Sequence, residues 1–346
     1  MALNASALAP GRASALTIAA AVCGLLLIVA VAFATGQYPV RSADLLRVLW
    51  SWAGGAPHGL DPTIDTVVLQ IRGPRVIAAL LVGAALAAAG AAYQSLFRNP
   101  LVSPDILGVS AGAAVGAVLG IFLSLGVVAM QSMAFAGGLA AVGMVYLVAN
   151  TVRGHDPLLV LVLAGVVLGS LLGACVALMK YLADPYNQLP AITFWLLGSL
   201  AATNPRDLWM AAPLLLVGLL PLWLLRWRIN VLSLDDEEAR ALGVPTGRIR
   251  LLVIIGATLM TSAAVAIAGV IGWIGLVIPH FARMLTGPDF SRLLPVAMLL
   301  GAAFLVAVDT LARSVTSIEI PLGVLTAFVG TPLFLWQLAT ARRGWQ

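Results

Sequence analysis

"LLVIIGATLMTSAAVAIAGVIGWIGLVIP" runs from Leu251 to Pro279 without one charged side chain. It is longer than the roughly 20 apolar residues that cross a bilayer once, and too short for two comfortable crossings. Gly269, Gly272 and Gly275 lie near its middle, where glycine permits a sharp reversal. Whether the chain turns back at Gly269 decides which side of a membrane receives every residue that follows.

The rest of the chain supplies the context. Of its 346 residues 61% are hydrophobic and 10% charged, and the mean hydropathy is +1.04. Soluble domains carry about 25% charged residues, so this is an all-α, polytopic membrane protein. Apolar runs long enough to span occupy 13–35, 74–96, 106–126, 127–150, 157–180, 207–225, 251–268, 293–311 and 321–341. The stretch 191–202 covers only about 18 Å as a helix, so it reads as a re-entrant or surface helix. The first run exceeds the core of a signal peptide, about 7–15 residues, and reads as a retained span.

A return at Gly269 gives ten spans. With the chain starting inside, Arg98, Arg226, Arg240, Arg250 and Arg283 are among twelve basic residues on the inner side. The outer side receives Arg41, Arg47, Arg72, Arg75, Lys180, Arg206 and Arg313. That division obeys the positive-inside rule. Without the return, Arg283, Arg292, Arg342 and Arg343 move outside and only Arg313 comes in. The expected organisation is therefore one transmembrane domain over 1–346. Its N-terminus (1–12) and C-terminus are cytoplasmic, and a charged cytoplasmic loop lies at about 227–250.

Several chemistries are excluded. Cys23 and Cys175 lie singly in apolar runs, and His58, His155 and His280 lack metal-site spacing, so no metal site or cofactor is expected. The net charge of +5 suits anchoring at a lipid surface rather than nucleic-acid binding. Lys180 is the single lysine, and it is not in a phosphate-binding G-x-x-x-x-G-K-[ST] loop. If ATP drives this protein, another polypeptide hydrolyses it. "GVSAG" (Gly108–Gly112) matches a nucleophile pattern that needs a strand-to-helix elbow, which a membrane helix does not provide. No nucleophile–base pair supports an intramembrane enzyme. No acid sits clearly at the centre of a span, which argues against an ion-coupled secondary carrier.

Three local patterns carry candidate function. Arg72 and Arg75, three apart, share a helix face and point outward with Arg313. They form either a basic rim or a set of snorkelling anchors; Asp309 and Arg313 are spaced for an ion pair. "SLDDEEARALG" (Ser233–Gly243) has a Ser233–Asp236 capping box, an acidic first turn, and Arg240 and Gly243 at its end. It is a short cytoplasmic helix, either a docking surface or an ordinary solvated loop. Ser103–Pro104–Asp105 starts a further helix. Gly108, Gly112, Gly116 and Gly120 then repeat on one face, for close packing within the chain.

Six segments occur in a fixed order: "IRGPRVIAALLVGAALAAAGAAYQSLFRNPLVSPDILGVSAGA", "FWLLGSLA", "LGVPTGRIR", "AGVIGWIGLVIPHFARMLTGPD", "DTLAR" and "EIPLGVLTAFVGTPLFL". Together they resemble the FecCD family of ABC importer permeases over about Gln70 to Leu338. The resemblance implies a type II importer fold with ten spans per subunit and a homodimer. It also implies two separate ATP-binding subunits below and a periplasmic binding protein above. Arg72, Arg75 and Arg313 match the family's docking arginines. Leu234, Asp235, Asp236, Glu237, Glu238, Arg240, Leu242 and Gly243 fall in its ATPase-coupling segment. Asn99 and Leu101, with Pro157, Leu158 and Leu159, match its gate layers; the second layer here is apolar where some relatives carry hydroxyl residues. The implied cargo is an iron chelate, siderophore or haem. Cobalamin and molybdate or tungstate are alternatives within the same class.

Overall fold

A computed structural model describes residues 10–38, 40–56, 59–152 and 157–340. Residues 1–9 and 341–346, His58, Arg153 and His155 lie outside the described residues, and with them most of the expected terminal segments. Fifteen α-helices form the described chain: α1 (Pro10–Ala34), α2 (Ser42–Trp52), α3 (Pro62–Asp65), α4 (Gly73–Leu96), α5 (Val109–Phe122), α6 (Val127–Thr151), α7 (Pro157–Leu182), α8 (Gln188–Leu197), α9 (Pro205–Leu224), α10 (Arg226–Val231), α11 (Asp236–Ala241), α12 (Thr246–Ala268), α13 (Ile274–Thr286), α14 (Phe290–Ser314) and α15 (Leu322–Thr340). No strand occurs among them.

Among the described residues seven helical stretches are long and apolar enough to cross a membrane; of four shorter apolar helices, α5, α13 and α15 complete ten, while α8 has only 10 residues. The tenth depends on the break after α12. That helix stops at Ala268, Gly269 takes φ +69°, and α13 starts only at Ile274. The return is visible in the packing. Arg75 of α4 reaches Asp309 of α14, and Gly83 meets Gly301, so α4 and α14 are antiparallel. Gly275, at the start of α13, touches Gly90, and Arg283 joins Gln94, Ser95 and Arg98 further along. So α13 runs with α4, while Tyr93 Oη at 3.0 Å from Thr258 Oγ1 ties α4 to the middle of α12. As expected, 191–202 yields no span: α8 ends at Leu197, and Gly198 turns the chain.

Small residues let these helices touch. A Cβ on Gly90 would lie 1.9 Å from the Gly275 carbonyl oxygen, far inside contact distance, so the two backbones meet directly. Between helices in lipid, such close approach is the main source of attraction. The glycine repeat of α5 works in the same way: Gly112 meets Gly137 and Gly116 meets Met133, both on α6. That is the intrachain packing expected from the repeat.

Two expected helix starts are corrected. Pro104–Leu107 forms a 3₁₀ turn, and Gly108 at φ +78° separates it from α5, which begins at Val109. The Ser233–Asp236 capping box does not form. Ser233 Oγ donates instead to the Asn230 carbonyl (2.7 Å), and Asp235 stands at the N-cap of α11. Two features lack a sequence expectation. Helix α2 buries Leu45 and Val48 and exposes Leu46, Trp50 and Trp52. A π-helical turn, Thr66–Arg72, joins α3 to α4, so one continuous helix runs from Pro62 to Leu96.

Candidate functional site at the two charged ends

At one end of the bundle three arginines meet two acids. Arg75 Nε lies 2.9 and 3.0 Å from the two Asp309 oxygens, and its Nη1 and Nη2 donate to Glu319 Oε1 (2.7 Å) and Oε2 (3.0 Å). Such forked pairing is the strong form of arginine–carboxylate contact. Arg72 donates to the carbonyls of Phe33 and Tyr38, and Arg313 to those of Ala32 and Thr35. Arg313 Nε also lies 3.6 Å from Asp309, the ion pair expected from their spacing. Ala32 and Phe33 belong to the last turn of α1, whose carbonyls lack helical partners and favour cations.

Arg72, Arg75 and Arg313 are only 4%, 7% and 7% exposed. The open basic rim expected from sequence does not form, and neither do lipid-surface anchors. Burial has a physical cause. The guanidinium groups find fixed carbonyls and carboxylates inside the chain, so water is not needed to solvate them. Of the two acids, Asp309 is 2% exposed and the Glu319 side chain 37%. The cluster binds α1, α4, α14 and the segment before α15 together and retains one excess positive charge.

The other end is open. Helix α11 buries Ala239 and exposes Glu237, Glu238 and Arg240; Leu234, Asp235, Leu242 and Gly243 are exposed beside it. Gly243 ends the helix at φ +75°, as expected. Arg98, just past α4, reaches across: its Nε donates to the Leu232 carbonyl (2.8 Å), Nη1 lies 3.2 Å from Asp235 Oδ1, and Nη2 donates to the Leu234 carbonyl. Nearby, Asn230 joins α10 to the start of α14, donating to Asp289 (2.7 Å) and accepting from the Phe290 amide (2.7 Å). Burial opposes ionisation of Asp289, but the bond from Asn230, the Ser291 amide and the charge of Arg292 outweigh it. They hold the carboxyl below the usual range. A cavity of 450 Å³ lies among Arg98, Asn230, Asp289 and Arg283.

The candidate gate residues divide. Asn99 Oδ1 accepts the Leu101 amide (2.9 Å) and fixes that turn, leaving the Leu101 side chain exposed. Pro157 opens α7. Leu159 is exposed, whereas Leu158 lines a second cavity with Tyr146, Arg240 and Arg250. Within the single subunit the two leucines thus have different surroundings. The residues that sequence reasoning missed are Glu319 and Arg98: neither has a local partner, and their contacts cross more than a hundred residues.

A multi-pass helical bundle whose charged groups gather at its two ends has the architecture of a membrane permease. The chain belongs to the FecCD transport family, whose pattern matches residues 16–340. It is similar to the molybdate import system permease protein MolB of Haemophilus influenzae: 40% identical, over 92% of this chain and 94% of that protein. It is similar to the cobalamin import system permease protein BtuC of Halobacterium salinarum: 42% identical, over 88% and 82%. Relatives from Helicobacter pylori and Yersinia pestis are named for iron chelatin and hemin transport. A solved structure of a metal-chelate type ABC transporter in an inward-facing conformation matches with TM-score 0.84 and 37% identity, covering 93% of this chain and 98% of that one. The chain is an ABC importer permease, and its fold is that of type II importers.

Proposed function

We propose that two copies of this chain form the path of an ATP-driven importer in a bacterial inner membrane. Two separate ATP-binding subunits attach at the Arg98 end, which is cytoplasmic along with both termini. A substrate-binding protein docks over Arg72, Arg75 and Arg313 at the periplasmic end. The cargo is an iron chelate, siderophore or haem. The chain performs no covalent chemistry and needs no cofactor of its own.

The observation that carries this reading is α11: a short, charged helix that, among its described side chains, buries only Ala239 against its own subunit. An isolated helix of six residues is marginal in water. A second polypeptide packing on its exposed face would explain its presence, and the absence of a phosphate-binding loop in this chain requires such a partner if ATP is used. Iron chelate is favoured by the relatives named for iron chelatin and hemin transport. Molybdate is the second reading, favoured by the full-length similarity to MolB.

Uptake into proteoliposomes tests both. Permease, ATP-binding subunit and binding protein together should accumulate labelled ferric siderophore or haem only with internal ATP. Accumulation of molybdate but not iron chelate would transfer the assignment to the second reading. Uptake by the permease alone would defeat the importer mechanism.

A further inference from the structure

We propose that Arg98 is the mechanical link between the α11 loop and the turn that carries Leu101. The inference rests on the importer reading above and adds a positioning residue to it. Helix α4 ends in a Schellman motif: the Arg98 amide bonds the Ser95 carbonyl (3.4 Å) and the Asn99 amide bonds the Gln94 carbonyl (3.1 Å). The residue between cap and exit must take a left-handed conformation, and glycine is preferred there. Arg98 occupies it at φ +50°.

The end of α11 shows the ordinary solution. Gly243 and Val244 make the same two bonds to Arg240 and Ala239, with glycine at the left-handed position. Strain alone does not single out Arg98, because Ser124 ends α5 in a left-handed conformation too. What separates Arg98 is the destination of its guanidinium. It holds the Leu232 and Leu234 carbonyls and the Asp235 carboxylate, three acceptors within four residues of the α10–α11 connection. A planar fork reaches several spaced acceptors in fixed directions, whereas the three donors of a lysine all sit on one compact nitrogen. Strained residues persist where the surroundings over-determine them, and they concentrate at functional positions.

The path from loop to turn is short and polar. Asp235 and Leu234 hold Arg98; the next residue, Asn99, fixes the Leu101 amide. Gln94, fully buried, anchors the same helix end to α13 through the Leu276 carbonyl at 3.0 Å. Displacement of α11 by a partner therefore pulls on the end of α4 and on the Leu101 turn directly, not only through the long helices α9 and α12.

The test is Arg98→Gly. It gives the left-handed position its preferred residue, so folding and assembly with the ATP-binding subunit persist while the link is cut. In the reconstituted importer, cargo moved per ATP hydrolysed should fall at least tenfold. Spin labels at Ser233→Cys and at Leu101→Cys, each in a Cys23→Ser, Cys175→Ser background, report the two ends of the link between the paired subunits. ATP should shift both label distances in the parent. In Arg98→Gly the Ser233 shift should remain and the Leu101 shift should fall well below its parental size. A Leu101 shift of parental size in Arg98→Gly overturns the link. No Ser233 shift in the parent overturns the importer reading beneath it. Arg98→Lys keeps the charge and the strained backbone but loses the fork, so it should couple poorly; coupling at the parental level overturns the link even if the glycine variant cannot be prepared.

Discussion

Both ends of this bundle use arginine to hold backbone carbonyls and a carboxylate, yet the two ends are built for opposite demands. At the Arg75 end three guanidinium groups are sunk, and each is engaged by groups on other elements. At the Arg98 end one partly exposed arginine meets Asp235, whose side chain is 84% exposed. Removing one member of a buried ion pair leaves a charge that water cannot reach, at about 3–5 kcal/mol. An exposed pair contributes about 0–1 kcal/mol. The first arrangement fixes where α1, α4 and α14 meet. The second can break and re-form as a partner moves, which suits a segment that takes up force.

The largest expected effect tests the clamp. Asp309→Asn leaves Arg313 without its acid and Arg75 with Glu319 alone, and should destabilise the subunit by about 3–5 kcal/mol. Thermal unfolding in detergent measures it, with a lower midpoint or loss of folded protein expected. An unchanged midpoint would show that the cluster does not hold the helices. Reversing all three arginines to glutamate would set new acids beside Asp309 and Glu319, so unfolding and loss of docking could not be told apart.

A single capping acid at the opposite end should matter less. Asp289 caps α14 through the Ser291 amide at 2.9 Å. Asp289→Ala should cost about 1 kcal/mol at neutral pH. The carboxyl is held below its usual range when folded. Its contribution is thus present above the ordinary carboxylate range and lost as pH falls through the lowered value. Unfolding midpoints of parent and variant should converge in acid; a gap that persists there would assign the loss to packing.

How much of this was legible in sequence follows from the range of each interaction. Spans come from composition and length, and the return after Ala268 from glycines and the division of charge; both are local or additive, and both hold. Gly243 at the end of α11 is a local signal and holds as well. The Ser233 cap fails because the serine hydroxyl has a competing acceptor, Asn230, three residues back. For the arginines, spacing exposes only the Asp309–Arg313 pair. Arg75 finds Asp309 and Glu319 at sequence separations of 234 and 244, which no periodicity can reveal. Helix α2 escaped notice because its eleven residues are too few for a span. In Arg98, sequence offers only an inner-side positive charge; its left-handed backbone and its reach to Leu232 exist only in the fold.

Glu319→Gln sharpens the Arg75 end without dismantling it. The side chain is partly exposed, so stability should change by less than about 1 kcal/mol. One internal carboxylate no longer competes for Arg75, and the excess positive charge of the cluster rises. An acidic docking face should then bind several-fold more tightly at low salt, with the gain shrinking as salt screens it. Binding-protein titrations at two ionic strengths decide the matter; weaker binding would mean that Glu319 itself faces the partner.

The smallest effect belongs to the exposed pair. Asp235→Ala removes the carboxylate that Arg98 touches at 3.2 Å but leaves the Leu232 and Leu234 carbonyls in place. Because the carboxylate is almost fully solvated, its loss should change stability by less than about 0.5 kcal/mol. Coupling should drop only slightly, since two of the three acceptors of the fork remain. A loss of coupling as large as that of Arg98→Gly, at unchanged stability, would move the link from the backbone carbonyls to the ion pair. The contrast between a buried clamp and an open clasp would then no longer rest on burial, because an exposed charge pair would be transmitting as much force as a buried one.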